Sequence, residues 1–303
     1  MSFLSYKRKR LLIKMFSLFS VIRGYNILII VIAQYLTSIY ILAPQKPLLS
    51  VLLDPNLFFI VLASALAIAS GYIINSFYDA EKDRINRPNK TYLDSLISQN
   101  TKLSVYFVLN FLSVILASYI SFRAVLFFAL YIFWIWFYSH KLKKYPFIGN
   151  LTASVLAITP FFAVFVYYKN FASVIFVHAT FLFLIISMRE LVKDLENIKG
   201  DLTQNYQTIP VKYGIGFSKR ILTFLSVITL IPIYLLITRF EIGYMHYYFL
   251  GALLLLVIFL FYLWRSSAKV DYIILHAVLK LIIVAGTLSI VLIDIDLLLS
   301  RIL

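Results

Sequence analysis

Long apolar runs alternate with short polar breaks along this chain, and the pattern recurs nine times, at about 17–43, 56–80, 103–121, 123–139, 151–168, 171–195, 216–237, 244–264 and 273–299. A helix needs about 20 mainly apolar residues to cross a bilayer, and most of these runs are near or above that length. The pattern therefore predicts an all-α polytopic membrane protein with nine transmembrane helices. The 303 residues read as one integral-membrane domain. The polar segments divide the domain into two four-helix halves, about 17–139 and 151–264, followed by a last helix at 273–299, and the placement suggests an internal duplication. The opening "MSFLSYKRKRLLIKM" has the charge of a secretory leader, but the apolar run after it is too long and Ala43-Pro44 ends it without a small-residue cleavage site, so it reads as a retained first helix.

Charge adds an orientation. Of the 28 Lys and Arg residues, 21 fall on one side if the amino terminus is cytoplasmic; five (Lys46, Arg123, Lys169, Arg239, Arg301) fall on the other, and Arg23 and Lys280 sit inside spans. That is the positive-inside pattern, and it places the protein in the cytoplasmic membrane with its amino terminus inside. The formal net charge of +15 is thereby explained, and a nucleic-acid partner, which would need a soluble basic face, is not implied. With no cysteine, disulfides, thiol nucleophiles and cysteine metal sites are excluded. His140, His178, His246 and His276 are too scattered for a histidine metal motif, and no glycine-rich phosphate loop is present.

The scarce charge is the negative one. Eight of the thirteen acids, Asp79, Glu81, Asp83, Asp94, Glu190, Asp194, Glu196 and Asp201, lie in two short segments at the cytoplasmic ends of spans 2 and 6. A carboxylate at membrane depth costs roughly 2.5 to 3.5 kcal/mol, so such clusters require cations or a wet cavity. At about 100° per residue, Asn75, Asp79 and Asp83 share one helix face, and Glu190, Asp194, Asn197 and Asp201 form a second stripe, with Glu81 and Glu196 off these faces. Two facing oxygen-rich stripes would repel unless divalent cations lay between them, and oxygen-only ligands suit Mg2+. Solvated helix ends salt-bridged to Lys82, Arg84, Arg87, Lys193 or Lys199 are the ordinary alternative. Arg84 and Arg87, the latter fixed by Pro88, would place cations where diphosphate oxygens project. "YSHKLKKYPFIGN" adds Tyr138, Lys141, Lys143 and Lys144 after span 4, and "QTIPVKYG" places Thr208, Pro210 and Gly214 in a turn that shapes a loop. Arg23 and Asn26, inside the first span, either snorkel to headgroups or face the acidic cavity; His276 and Lys280, one turn apart in span 9, raise the same question.

Together the "NSFYDAEKDRINRP", "YSHKLKKYPFIGN" and "RELVKDLENIKGD…QTIPVKYG" stretches resemble the UbiA superfamily of intramembrane prenyltransferases, over nearly the whole chain. The resemblance implies nine helices around a central cavity open to the cytoplasm and to lipid, in which Mg2+ binds an isoprenyl diphosphate donor for transfer to a lipophilic acceptor. By position it carries metal binding to Asn75, Asp79 and Asp83, to Asn197 and Asp201, and to Glu190 upstream of them; Asp194, on the same stripe, completes the candidate metal ligands. The candidates for catalysis are Asp79, Asp83, Asp201 and Lys193, and those for phosphate contacts, read from charge and placement around the acids, are Arg23, Asn26, Arg84, Arg87, Tyr138, Lys141 and Lys144. Asn197 departs from the aspartate expected there, keeping an oxygen donor but no charge. "RELVKDLENIKGD" is most similar to the branch that alkylates geranylgeranylglyceryl phosphate. Aromatic-acceptor prenyl transfer and cation-coupled transport stay open as rival readings.

Overall fold

The computed structural model describes residues 6–295, with side chains from Lys14 onward, so Arg301 and the side chains of Lys7, Arg8, Lys9 and Arg10 lie outside the described residues. The chain is helical throughout: α1 (Tyr6–Val21), α2 (Gly24–Thr37), α3 (Leu48–Leu52), α4 (Pro55–Tyr78), α5 (Ala80–Asn86), α6 (Pro88–Ser95), α7 (Gln99–Ile120), α8 (Phe122–His140), α9 (Ile148–Tyr168), α10 (Ser173–Thr203), α11 (Ile209–Tyr213), α12 (Ile215–Arg239), α13 (Met245–Arg265) and α14 (Lys269–Ser289). Among the described residues, nine helices are long and apolar enough to cross a membrane: α2 with its π-helical extension to Leu42, α4, α7, α8, α9, α10, α12, α13 and α14.

The first and sixth spans differ from the sequence expectation. The apolar run at 17–43 is not one helix, because Arg23 adopts a left-handed backbone (φ 51°) and separates α1 from α2. Helix α1 turns onto α6, where the Ser17 hydroxyl donates to the Leu93 carbonyl at 2.7 Å and Ser20 to Asp94 at 3.3 Å. Arg23 thus stands at the start of the first span rather than within it. Helix α10 runs on to Thr203 instead of ending near 195. At 31 residues it is roughly 46 Å long, well beyond the hydrocarbon thickness, so its acidic stripe lies on one unbroken helix.

Helices α4 and α10 occupy the middle of the bundle, α4 being the most enclosed span with 67% of its apolar window buried. Both carry an acidic segment, so the site is central by construction. Around them, local breaks are repaired by neighbours, as an apolar surrounding demands. Pro160 in α9 has no N–H for the carbonyl four residues earlier, and the buried Tyr131 hydroxyl of α8 donates to that Leu156 carbonyl at 3.1 Å. The fully buried Gln34 amide of α2 donates to the Pro160 carbonyl at 2.8 Å and to Ser64 at 3.2 Å, tying α2, α4 and α9 together beside the cavity.

Candidate active site

Asp79 is the joint between α4 and α5, with φ −92° and ψ 3°, and the helical ladder bends there without dissolving. Its N–H still reaches Asn75 O at 2.9 Å and its carbonyl receives Asp83 N at 2.8 Å. Its carboxylate, 7% exposed, accepts from Asn75 Nδ2 (2.9 Å), Lys143 Nζ (2.7 Å) and the Tyr206 hydroxyl (3.4 Å). Burial alone would raise this carboxyl, but the ammonium groups of Lys143 and Lys82 outweigh it and hold Asp79 well below the usual carboxylate range.

Across the gap, Asp201 on α10 is fully buried, with Lys82 Nζ of α5 2.6 Å from Oδ1 and the Thr208 hydroxyl donating to Oδ2 at 3.3 Å. Burial pushes Lys82 down, yet Asp79 and Asp201 together raise it well above an ordinary lysine. Lys82 Nζ also lies 4.8 Å above the Tyr206 ring. A second tie comes from Asn86 of α5, whose amide donates to Asn197 O (3.2 Å) and accepts from Gly200 N (3.1 Å). The two acidic segments therefore do face each other. Where the sequence reading required divalent cations to relieve their repulsion, ammonium groups of Lys82 and Lys143 stand against the carboxylates.

Other predicted residues divide clearly. Asn75, Arg23, Asn26, Tyr138, Glu190 and Lys193 line a central cavity of about 270 Å³, whose walls are otherwise largely apolar, with Ile68, Ile135, Leu156 and Phe161 among them. Glu190 is held between Arg189 (3.0 Å) and Lys193 (2.7 Å). Arg87, expected at the diphosphate, instead pairs with Glu196 at 2.9 Å, and His276 Nδ1 lies 3.1 Å from the other oxygen of that carboxylate. Arg84 and Lys141 are exposed and make no side-chain hydrogen bond or ion pair among the described residues, while exposed Lys144 lies 5.6 Å from the Tyr206 ring. Lys280 lines the cavity and His276 does not.

Sequence reasoning did not find Tyr206, which lies off both stripes, or Asn86, which shares the face of the first stripe but carries no charge, and it placed Lys143 in a basic loop without connecting it to Asp79. Thr208, read as a loop residue, touches Asp201. The spacing of three lysines in four residues offered no signal as to which would turn inward.

The donor set fits Mg2+ in its chemistry. Among the described residues no three carboxylate or imidazole groups converge on one point. The carboxylates of Asp83 and Asp194, however, make no side-chain hydrogen bond or ion pair among the described residues, and Asn197 Oδ1 is buried without a partner while its Nδ2 donates to Lys193 O at 2.7 Å. All the uncommitted donors are oxygens, which is what a hard cation prefers.

Against known proteins, the chain is 30% identical to the digeranylgeranylglyceryl phosphate synthase of Sulfurisphaera tokodaii over 239 residues, 76% of this chain and 84% of that one. It is 36% identical to the Thermococcus sibiricus synthase over 163 residues, 53% of this chain and 57% of the relative's length. Among solved structures, one of digeranylgeranylglyceryl phosphate synthase superposes with TM-score 0.70 at 23% identity, covering 93% of this chain and 99% of that one. A UbiA homolog from Archaeoglobus fulgidus, bound to GPP and Mg2+, gives 0.66 at 16% identity, covering 90% and 99%. At such identities these two structures establish the shared fold. Residues 27–273 match the model of the UbiA prenyltransferase family, and the chain belongs to that family.

Proposed function

We propose that this protein transfers an isoprenyl group from an isoprenyl diphosphate to a lipophilic acceptor, geranylgeranylglyceryl phosphate, in a Mg2+-dependent reaction at the cytoplasmic face of the cell membrane. The observation that carries this reading is the fixed opposition of the α4–α5 and α10 acids beside a largely apolar cavity. A transporter would instead place its intramembrane carboxylates on a path through the protein. Family membership and relatives that are digeranylgeranylglyceryl phosphate synthases support the reaction and the acceptor class. The Archaeoglobus homolog's bound GPP and Mg2+ supports the donor and the metal. The concentration of 21 of 28 basic residues on the acidic side supports the orientation.

Asp79 and Asp83 on one side of the gap, and Asp194, Asn197 through Oδ1, and Asp201 on the other, would hold Mg2+ together with diphosphate oxygens. When bound, Mg2+ neutralises the leaving diphosphate. The protein's own residues do the rest. Lys82, Lys143, Lys193 and Arg189 supply fixed positive charge around the same gap, so charge developing on the departing oxygens meets preorganised cations. The rings of Tyr72, Tyr131, Tyr138 and Phe161 face the cavity, offering π-faces to an allylic cation and excluding water that would quench it. Glu190 is the carboxylate on the cavity wall, placed to take the proton that an attacking hydroxyl releases. Ala33, Phe161, Leu182, Ile283 and Thr287 are shared with the wall of a second, almost wholly apolar chamber of about 130 Å³, suited to isoprenyl chain.

Purified protein incubated with Mg2+, labelled geranylgeranyl diphosphate and geranylgeranylglyceryl phosphate is expected to form the doubly alkylated ether and release diphosphate. Transfer only to an aromatic acid would overturn the acceptor; no allylic turnover with any acceptor would overturn the activity.

A further inference from the structure

Two cations on the α2–α14 side of the cavity are left without a counter-charge. Lys280 lies in the span Lys269–Ile293 and Arg23 at the start of α2; both line the cavity, and neither makes an ion pair or side-chain hydrogen bond among the described residues. Their neighbours are rings: Lys280 Nζ is 4.4 Å from the Tyr25 centroid and Arg23 Cζ is 5.1 Å from that of Tyr72. Tyr25 is two residues from Arg23, so the two charges belong to one corner of the wall. By contrast, Arg189 and Lys193 on the same cavity both have a direct carboxylate partner, which they share in Glu190. An unmatched intramembrane cation is costly, and a ring face offsets only part of that cost.

Resting on the prenyl-transfer reading, we propose that Lys280, with Arg23, binds the phosphate monoester of the acceptor, separately from the acid-lined site that takes the donor's diphosphate. The division follows from charge. The donor's anion needs metal because the α4–α5 and α10 segments are acidic, whereas at the α2–α14 corner the cavity lining holds Arg23 and Lys280 and no carboxylate but Glu190, which is paired with Arg189 and Lys193. Lys90, outside the cavity lining, is pushed below an ordinary lysine, first by burial and then by the Arg23 charge, while Asp94 and Asp83 oppose the shift, so the Arg23 charge reaches its neighbours unneutralised by a direct partner. A site that recognises phosphate would discriminate against an acceptor lacking it, because its half-buried cations would then remain unpaired.

The test compares wild type with Lys280→Met, which keeps the apolar stem and removes the charge. Geranylgeranylglyceryl phosphate and its dephosphorylated alcohol serve as alternative acceptors. The variant should raise the acceptor KM about tenfold or more for the phosphorylated compound, leaving the KM for geranylgeranyl diphosphate and the rate with the alcohol unchanged. Calorimetric binding of the phosphorylated acceptor in chelator should weaken in parallel, and Lys280→Arg should restore it. A rise in donor KM instead, or equal effects on both acceptors, overturns the assignment. Unchanged acceptor binding with lost affinity for anionic lipid would assign Lys280 to a headgroup of the bilayer and overturn it too. Wild-type turnover of the allylic diphosphate is the control: without it the prenyl-transfer reading itself fails.

Discussion

The Asn86 side chain and the Gly200 backbone are interlocked across the gap between α5 and α10. The amide oxygen accepts from Gly200 N at 3.1 Å while its nitrogen donates to Asn197 O at 3.2 Å. A Cβ on Gly200 would overlap the Asn86 amide, so the closeness of the two acidic segments depends on a hydrogen atom at position 200. Lys269 donates to the Asn86 carbonyl, extending the lock to α14.

Gly200→Ala is therefore diagnostic. In an ordinary helix interior the change would stabilise by up to about 1 kcal/mol. Here it should lower both thermal stability and prenyl transfer, the latter about tenfold or more, because displaced Asn86 no longer sets the spacing of Lys82 and Asp201. A variant with unaltered rate and a raised unfolding temperature would show that the lock is dispensable.

Lys143 and Asp79 form a buried pair at 2.7 Å. Removing one member of such a pair costs about 3 kcal/mol or more, whereas removing both is far cheaper. Lys143→Met should thus unfold earlier on heating than the double variant Asp79→Asn, Lys143→Met, with both inactive. The double-mutant cycle isolates their coupling, and a coupling near zero would contradict the pairing.

The direction of the shifts sets a pH profile for protein in chelator. Asp79, depressed in the folded state, stabilises fully above its unfolded value of about 4 and loses that contribution as pH falls from there toward its folded value. Lys82, raised, stabilises fully below about 10.4 and loses that contribution as pH climbs through its folded value. The difference in unfolding temperature between wild type and Asp79→Asn should hold from about pH 5 to neutrality, shrink below pH 4, and fall on the alkaline side earlier than an ordinary lysine would dictate, because burial lowers Lys143. A change centred near neutrality would mean the pair is absent.

Much of this was legible because membrane burial writes itself into composition. The nine spans follow from length and apolarity, and the two stripes from helical spacing; both survive because an acid in a bilayer has few positions open to it. Three features were hidden for physical reasons. The kink at Arg23 is invisible to hydropathy, since α1 carries an apolar face that merges with the first span. Lys143 and Lys141 are equivalent in sequence and differ only in which one the turn before Pro146 directs inward. Arg87 was assigned to diphosphate by its nearness to the acids, but Glu196, set aside because it lies off the α10 stripe, faces α5–α6 and takes it.

That reassignment is testable. Arg87, Glu196 and His276 join the α5–α6 turn, α10 and α14, so Arg87→Met should lower the unfolding temperature as Glu196→Gln does, with donor KM changed less than threefold. If Arg87→Met raises donor KM tenfold or more at unchanged stability, Arg87 binds diphosphate after all.

Asn197 tests the metal directly, through two opposed effects. An aspartate there forfeits the 2.7 Å bond from Nδ2 to Lys193 O and sets a charge against that carbonyl, a loss of about 1 kcal/mol or more. The gain is a full charge where Oδ1 now lies buried without a partner, close to Asp194 and Asp201 on the same stripe. Without Mg2+ only the loss operates, so Asn197→Asp should be less stable than wild type in chelator. With Mg2+ the added charge contributes to binding, and the half-saturating concentration for prenyl transfer should fall several-fold. Asn197→Leu should move it the other way. If both variants shift stability while the Mg2+ requirement stays fixed, Oδ1 is no ligand, and the second half of the site rests on Asp194 and Asp201.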